Sequence, residues 1–287
     1  MFNLYTTIKN NPGIFRQFSC RDSLISVYNC PLEKKLEDAW SHYNYIVYVV
    51  EGRKIWHTPH GSYDLRQGNC VFVKKGACII EQFFDVAFCL VSFFLPDEFI
   101  CEVLKSRSAP ITAKNNKPQP VIAIDASSTI HSFFQSMMTY FNTSQEPDPA
   151  LLELKFRELI LTIADNPRNA DLLAYFNSLM QQPQSVNLQR IMEDNFCYNL
   201  KLEEFAKLCS RSLSAFKRDF EKIYHTTPGR WLTEKRLDHA LHLLTHLDKT
   251  VAEAAFESGF ENPSHFSRSF RQRFGTSPAS MKQQISI

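Results

Sequence analysis

Several common functional signals are missing from this sequence. The 287 residues include eight glycines, and none of them forms a glycine-rich loop that could hold a nucleotide phosphate. The eight cysteines are never closer together than eight residues, which excludes Cys-x-x-Cys zinc and redox motifs. The longest apolar run, at 86–95, is far shorter than a bilayer span, and the N-terminus lacks the apolar segment of a signal peptide. We therefore expect a cytoplasmic chain with no membrane segment, no bound metal and no cofactor.

The sequence also has little excess of charge of one sign, because 32 basic and 30 acidic side chains give a net charge of only +2. The basic and acidic residues are unevenly distributed along the chain. Residues 1–185 carry 17 basic and 18 acidic side chains, whereas residues 186–287 carry 15 and 12. From Pro263 onward there are three arginines, one lysine and no acidic residue. This local concentration of basic side chains is typical of nucleic-acid binding, although the overall net charge is not.

The segment TVAEAAFESGFENPSHFSRSFRQRFGTSP has the start and stop signals of two short helices. Thr250 and Glu253 are spaced as a capping box, which satisfies the first free amides of a helix. Gly259 stands where the chain would leave that helix in a left-handed conformation. Asn262, followed by proline, is an N-cap that opens the second helix. The segment therefore predicts a helix-turn-helix.

In the second helix phenylalanine recurs at every fourth residue, so Phe266, Phe270 and Phe274 share one face. The opposite face carries arginine, serine and histidine, as does a helix that reads the major groove of DNA. Many ordinary surface helices have the same amphipathic pattern. This segment alone therefore leaves both interpretations open.

An internal repeat favours the DNA-binding interpretation. At an offset of 50 residues, Ser214, Phe216, Arg218, Phe220, Tyr224 and Pro228 correspond to Ser264, Phe266, Arg268, Phe270, Phe274 and Pro278. An ordinary surface would not be expected to repeat its polar face along with its core. We predict two helix-turn-helix units, at about 201–224 and 250–274, joined by one long helix. Two such units can enter successive major grooves, about 34 Å apart.

The predicted recognition helices span 212–223 and 262–273. Residues near a helix start can reach base edges, and later ones are better placed for phosphates. The predicted base contacts are Ser214, Lys217, Arg218, Ser264, His265, Ser267 and Arg268. The predicted phosphate contacts are Lys222, Arg271 and Arg273. No residue is predicted to be catalytic.

The N-terminal part predicts a different architecture. Six short segments between 24 and 95 are rich in valine, isoleucine and aromatic residues and are separated by turn signals, which is typical of a sandwich or small barrel. Helical periodicity follows, most clearly in an apolar stripe from Ile130 to Phe141. Such stripes can be buried within their own domain or can form a dimer interface. A loop is predicted at 109–120, and a polar linker at 181–185 marks the domain boundary.

The C-terminal region resembles the DNA-binding domain of the AraC/XylS family of transcriptional regulators, most closely in GFENPSHFSRSFRQRFGTSP at 259–278. The resemblance implies seven helices, two helix-turn-helix units and asymmetric promoter sites, with the seven predicted base contacts in base-facing positions. Three residues depart from the family pattern, all in or beside the first unit. Ser210 and His225 replace glycines, and Lys201 occupies a usual cap position. We expect the first unit to conform less well to the family geometry.

The N-terminal region is similar to the cupin-like regulatory domain of that family, through YIVYVVEGRKI, QGNCVFVKKG and LKFRELIL. It is most similar to the branch of type III secretion regulators. The resemblance implies a cupin-like jelly roll with trailing helices over 1–182, with the helices from about 125, and an all-α DNA-binding domain over 186–287. It also implies an effector, which is a small molecule or a regulatory protein, and a homodimer contact through 125–182. We expect an activator that binds double-stranded promoter DNA and works with RNA polymerase.

The alternative from another class is a metal-dependent cupin enzyme. His57 and His60, with Glu51 nearby, are the only clustered candidate ligands in the strand region. Cupin metal sites need two histidines on one strand face, whereas residues 57 and 60 would lie on opposite faces of a strand that contained both. Two histidines around a surface turn are the simpler interpretation.

Overall fold

The computed structural model describes residues 1–29, 34–84, 87–111, 119–143, 145–181 and 184–285. The chain divides into two compact units, Met1–Pro183 and Gln184–Ile287. Two predicted connections lie partly outside the described residues, namely the loop at its residues 112–118 and the linker at its residues 182–183. A helix already begins at Gln184, so the end of the predicted linker is helical.

The first unit contains two β-sheets. Their strands are β1 (Phe2–Asn3), β2 (Arg16–Cys20), β3 (Ser23–Asn29), β4 (Leu36–Ser41), β5 (Asn44–Glu51), β6 (Arg53–Thr58), β7 (Gly61–Arg66), β8 (Cys70–Val73), β9 (Gly76–Gln82), β10 (Cys89–Leu95) and β11 (Val121–Ile124). The first sheet has the order β1-β4-β9-β6-β7 and the second β11-β8-β5-β10-β3-β2. β1 pairs with β4 in parallel, and the other described pairs are antiparallel.

Helices complete both units. The first unit has α1 (Leu4–Asn10), α2 (Asp97–Lys105), α3 (Ser128–Phe141), α4 (Pro149–Asp165) and α5 (Ala170–Gln181). The second has α6 (Gln184–Asn195), α7 (Leu202–Leu208), α8 (Leu213–Tyr224), α9 (Pro228–His246), α10 (Val251–Glu257), α11 (Pro263–Phe274) and α12 (Pro278–Ile285). A β-rich unit with trailing helices, followed by a helical unit, confirms the predicted fold class. No helix in the described ranges is long and apolar enough to cross a bilayer.

The second sheet is buried on both faces, because neighbouring residues along its strands enter two different cores. Val47 and Phe94 lie in the core shared with the first sheet, together with Trp56. Ile46 and Phe93 lie in the core formed with α2, α3, α4 and α5. The apolar stripe of α3 packs into this second core, within its own unit. Burial on both faces explains why strands such as β5 are almost continuously apolar.

Side chains fill most of the space between the two sheets. Tyr45, Trp56 and Phe94 are buried there, and α1 contributes Leu4 and Ile8 to the same layer. One cavity in this layer, lined by residues that include Leu4, Tyr28 and Trp56, holds about 20 Å³, which is room for about one water molecule. Around this cavity the layer is occupied by buried aromatic and aliphatic side chains.

A buried polar network connects the second sheet to α2 and α5. The Asp97 carboxylate accepts hydrogen bonds from Lys75 Nζ at 2.6 Å and from the side-chain amide of Asn44. Asn44 Oδ1 in turn accepts from the Lys75 backbone N–H at 3.0 Å and from the Tyr175 hydroxyl at 3.1 Å. The side chain of Lys75 is only 3% exposed, so its charge depends on Asp97 for compensation.

We predict that Asp97→Ala lowers the free energy of unfolding of the first unit by about 3–5 kcal/mol, because it leaves the Lys75 ammonium buried without a counter-charge. The urea midpoint, followed by the fluorescence of Trp40 and Trp56, should fall accordingly. The control is Asp171→Ala, which removes an exposed carboxylate from α5 and should change stability by less than about 0.5 kcal/mol. Equal midpoints for the two variants would contradict the role of the network.

Candidate DNA interface

The second helix-turn-helix unit, α10 with α11, is capped at both of its helix starts. Thr250 Oγ1 accepts from the Glu253 N–H at 3.2 Å, and the Glu253 carboxylate accepts from the Thr250 N–H at 2.8 Å, which confirms the capping box. The hydrogen bond from the backbone amide holds the pKa of Glu253 below its ordinary value. Asn262 Oδ1 accepts from the N–H groups of Ser264 and His265, at 2.9 and 3.1 Å.

The first helix-turn-helix unit, α7 with α8, has less complete caps at its helix starts. The Lys201 N–H donates to the Glu204 carboxylate at 2.7 Å, but a lysine side chain has no acceptor for the free amides of α7. Ser212 Oγ accepts from the Ala215 N–H at 3.3 Å at the start of α8. The first unit therefore satisfies fewer helix-start amides with side chains than the second does.

Both recognition helices are held by phenylalanines on their inner faces, as the repeat predicted. Phe216 and Phe220 are fully buried in α8, and the Phe220 ring lies edge-on to Trp231 of α9 with centroids 5.8 Å apart. Phe266 and Phe270 are fully buried in α11, with centroids 5.5 Å apart. Burial of these rings turns the polar face of each helix toward solvent.

The turns and helix ends of the two units share one backbone conformation despite different residues. Ser210 and Gly259 occupy the two turns with φ of 54° and 86°. His225 and Gly275 end α8 and α11 with φ of 55° and 75°. The left-handed region disfavours residues with a Cβ by about 1–2 kcal/mol. The departures at 210 and 225 thus keep the geometry of the first unit at a cost in stability.

The two helix-turn-helix units meet at a contact around Arg236 of α9, which we call the junction. Its Nε and Nη2 donate to the carbonyl oxygens of Phe196 and Tyr198, each at 2.7 Å, in the loop before α7. Burial lowers the pKa of this guanidinium. Gly259 abuts the same loop, where an added Cβ would lie 2.5 Å from the Cys197 carbonyl oxygen. The connecting helix and the second turn therefore meet at one short loop, a contact that the sequence did not predict.

All ten predicted DNA-contacting side chains are exposed on α8 or α11. These are Ser214, Lys217, Arg218 and Lys222 on α8, and Ser264, His265, Ser267, Arg268, Arg271 and Arg273 on α11. Arg273 donates to both carboxylate oxygens of Asp238, at 2.8–3.1 Å, and Arg218 to Asp219 at 3.3 Å. Lys217, Arg268 and Arg271 make no ion pair within the described part of the chain.

His57 and His60, the candidate ligands of the alternative cupin enzyme, are not arranged as a cupin metal site requires. β6 ends at Thr58, so no strand runs through both His57 and His60. His57 Nε2 lies 2.9 Å from Glu81 Oε2, and its Nδ1 lies 2.7 Å from Ser62 Oγ. Across the described residues no group of three or more His, Cys, Asp or Glu side chains could hold a metal ion.

Two linked helix-turn-helix units after a β-rich unit define a DNA-binding protein of the helix-turn-helix class. Comparison with known families agrees. A family model described as the ExsA N-terminal regulatory domain matches residues 44–175, and a helix-turn-helix domain model matches residues 205–284.

Several known transcriptional regulators are similar to this chain. The virulence regulon transcriptional activator VirF of Yersinia enterocolitica is 28% identical over 234 residues, which cover 80% of this chain and 86% of VirF. The HTH-type transcriptional regulator ExsA of Pseudomonas aeruginosa is 32% identical over 138 residues, covering 48% of this chain and 49% of ExsA. A crystal structure of an apo ToxT variant from Vibrio cholerae covers 92% of this chain and 97% of that chain, at 13% identity and a TM-score of 0.43. The chain therefore carries a region similar to the ExsA N-terminal regulatory domain, followed by a helix-turn-helix domain, and it is similar to known transcriptional regulators.

We predict that Gly259→Ala destabilises α10 and α11 by more than about 1–2 kcal/mol, because it adds a collision with the Cys197 carbonyl to the left-handed strain. The matched variant, Ser210→Gly, relieves strain at the equivalent turn and should stabilise its unit by about 0.5–1 kcal/mol. Hydrogen exchange of the helix amides in the full chain measures both effects. Equal protection of α10 and α11 in Gly259→Ala and the unchanged protein would refute the junction.

Proposed function

We propose that this protein activates transcription by placing α8 and α11 in two successive major grooves of promoter DNA. The observation that carries the proposal is the repeated exposed face, in which Ser214 and Arg218 recur as Ser264 and Arg268 over equivalent buried phenylalanines. A fixed connection between the helices suits grooves about 34 Å apart. VirF is named as a transcriptional activator, which supports activation as the sign of regulation.

The base contacts in this proposal are the seven predicted residues near the starts of α8 and α11. Among them Arg268 is exposed and makes no ion pair within the described residues, so it can bind a base without losing a partner. Its guanidinium can donate two hydrogen bonds to guanine O6 and N7. Lys222, Arg271 and Arg273 are the proposed phosphate contacts. Arg273 would have to release Asp238 to reach DNA.

The β-rich unit, Met1–Pro183, is the proposed site of control, as the regulatory-domain model that matches residues 44–175 suggests. The buried aromatic side chains between its sheets favour a regulatory protein on the surface over a small ligand enclosed between the sheets. Residues 125–182 are the proposed homodimer contact, and Leu151 and Leu154 of α4 are exposed there. Exposed apolar side chains of this kind are typical of protein interfaces. RNA polymerase is the proposed partner of the activator, and no catalytic activity is proposed.

DNA selection from a random pool, performed with the full chain at physiological salt, tests the proposal as a whole. Enrichment of sites with two recognised segments about one helical turn apart is the expected result. Binding with no preference for selected over random DNA would contradict a role in promoter recognition.

We predict that Arg268→Ala weakens binding to the selected site by about 1–3 kcal/mol and relaxes the preference at one base pair. The reason is the loss of a paired donor to a base edge, which leaves phosphate contacts in place. Binding titrations against sites with single base changes measure this effect. An equal loss on selected and random DNA would instead assign Arg268 to the phosphates.

We predict a different result for Arg271→Ala, which should weaken binding to all sequences alike. The slope of log K against log salt should become shallower by about one unit, since one fewer counterion is released. The control is Lys105→Ala, which removes an exposed lysine from α2 of the β-rich unit and should leave the slope unchanged. A base-specific loss with an unchanged slope would contradict the phosphate role of Arg271.

A further inference from the structure

Three of the nine histidines lie along the helix that joins the two helix-turn-helix units: His239, His242 and His246. Their spacing of three and four residues puts them on successive turns of one helix side. His239 is partly buried, and its ring lies edge-on to Phe196 with centroids 5.5 Å apart. His242 and His246, in the last turns of α9, are exposed. The side chains of His242 and His246 are therefore accessible to a ligand from solvent.

The rings of His242 and His246 lie face to face, with centroids 4.7 Å apart and 26° between their planes. Two histidines four residues apart on a helix have the spacing of His-x-x-x-His metal sites, because both imidazoles project from one face. Tetrahedral zinc binds histidine nitrogens at about 2.0–2.1 Å, so two ligand nitrogens lie about 3.3 Å apart. Exposed rings at this centroid distance can reach such a separation by side-chain rotation.

Thr245 prepares one of the two rings for metal binding. Its hydroxyl donates to the His242 carbonyl oxygen at 3.5 Å, and its Oγ1 lies 2.6 Å from His246 Nδ1. In the tautomer with the proton on Nδ1, His246 donates this contact to Thr245 Oγ1. The lone pair of His246 is then on Nε2, the nitrogen available to a metal. A partner on the other ring nitrogen is the usual support of a metal-binding histidine.

We propose that His242 and His246 bind one divalent late first-row metal ion, such as Zn²⁺, Ni²⁺ or Cu²⁺, through a ring nitrogen of His242 and Nε2 of His246. Imidazole is a preferred ligand of these ions. Within the described residues no third His, Cys, Asp or Glu joins the pair, so water would complete the coordination. Leu243 follows His242, so the Glu general base of a His-Glu-x-x-His protease is absent from this position.

The position of this pair gives metal binding a structural consequence. α9 ends at His246, and the chain then passes through Asp248, with φ of 49°, to α10. An ion held by both imidazoles would link the last two turns of α9 immediately before the second helix-turn-helix unit. A cation there also interacts favourably with the helix C-terminus. Metal that binds only the folded chain must raise its melting temperature.

Calorimetric titration of the untagged, EDTA-stripped full chain with Zn²⁺ and with Ni²⁺ tests the proposal. We expect one ion per chain, a rise in melting temperature with metal, and at least a tenfold loss of affinity in His242→Gln and in His246→Gln. Thr245→Val should weaken binding about tenfold, because it removes the partner of His246 Nδ1. The substituted histidines are exposed, so melting of each variant in EDTA should match that of the unchanged chain.

Two controls separate this site from general histidine binding. His60→Asn removes an exposed histidine of the first unit, and Thr233→Val makes the same change as Thr245→Val elsewhere on α9. Both should keep the affinity and the melting shift. Unchanged affinity in either His→Gln variant would overturn the proposal, as would an equal loss in His60→Asn. Loss of affinity in Thr233→Val equal to that in Thr245→Val would overturn the role of Thr245.

Discussion

The geometry of the DNA-binding unit depends on the guanidinium of Arg236. It donates to two carbonyl oxygens of the loop before α7, those of Phe196 and Tyr198, and Gly259 abuts the same loop between them. A buried guanidinium without acceptors is costly, and a Cβ at residue 259 would collide with Cys197. The loop, the connecting helix and the second turn therefore stabilise one another. This contact acts together with the packing of α8 and α11 on α9.

The two helix-turn-helix copies share one backbone conformation but differ in their helix caps and in the residues at their left-handed positions. The second copy has a complete capping box, an asparagine cap that accepts two hydrogen bonds and glycines at both left-handed positions. The first copy keeps the same conformation with Ser210 and His225, at a cost in conformational energy. This asymmetry makes α11 the recognition helix with the more complete caps. Arg268 and Arg271, which are exposed and form no ion pair among the described residues, lie on it.

Local signals in the sequence predicted the caps, the phenylalanine faces and the helix ends of the second unit, because each depends on residues within a few positions of one another. The β2 and β4 strands were not predicted, since RQFSC and LEDAWS are too polar to show a clear apolar alternation. The role of Arg236 was also missed. Its partners lie 38 and 40 residues earlier in the chain, and nothing along α9 indicates them.

In the proposed function the two recognition helices act as one clamp of fixed spacing. The most direct measurement is the affinity of the full chain for its selected site before and after insertion of about 5 base pairs, half a helical turn, between the two recognised segments. A fixed clamp predicts that affinity falls to that of a single segment, because the second groove then faces away. Unchanged affinity after the insertion would contradict it and show that the two units bind independently.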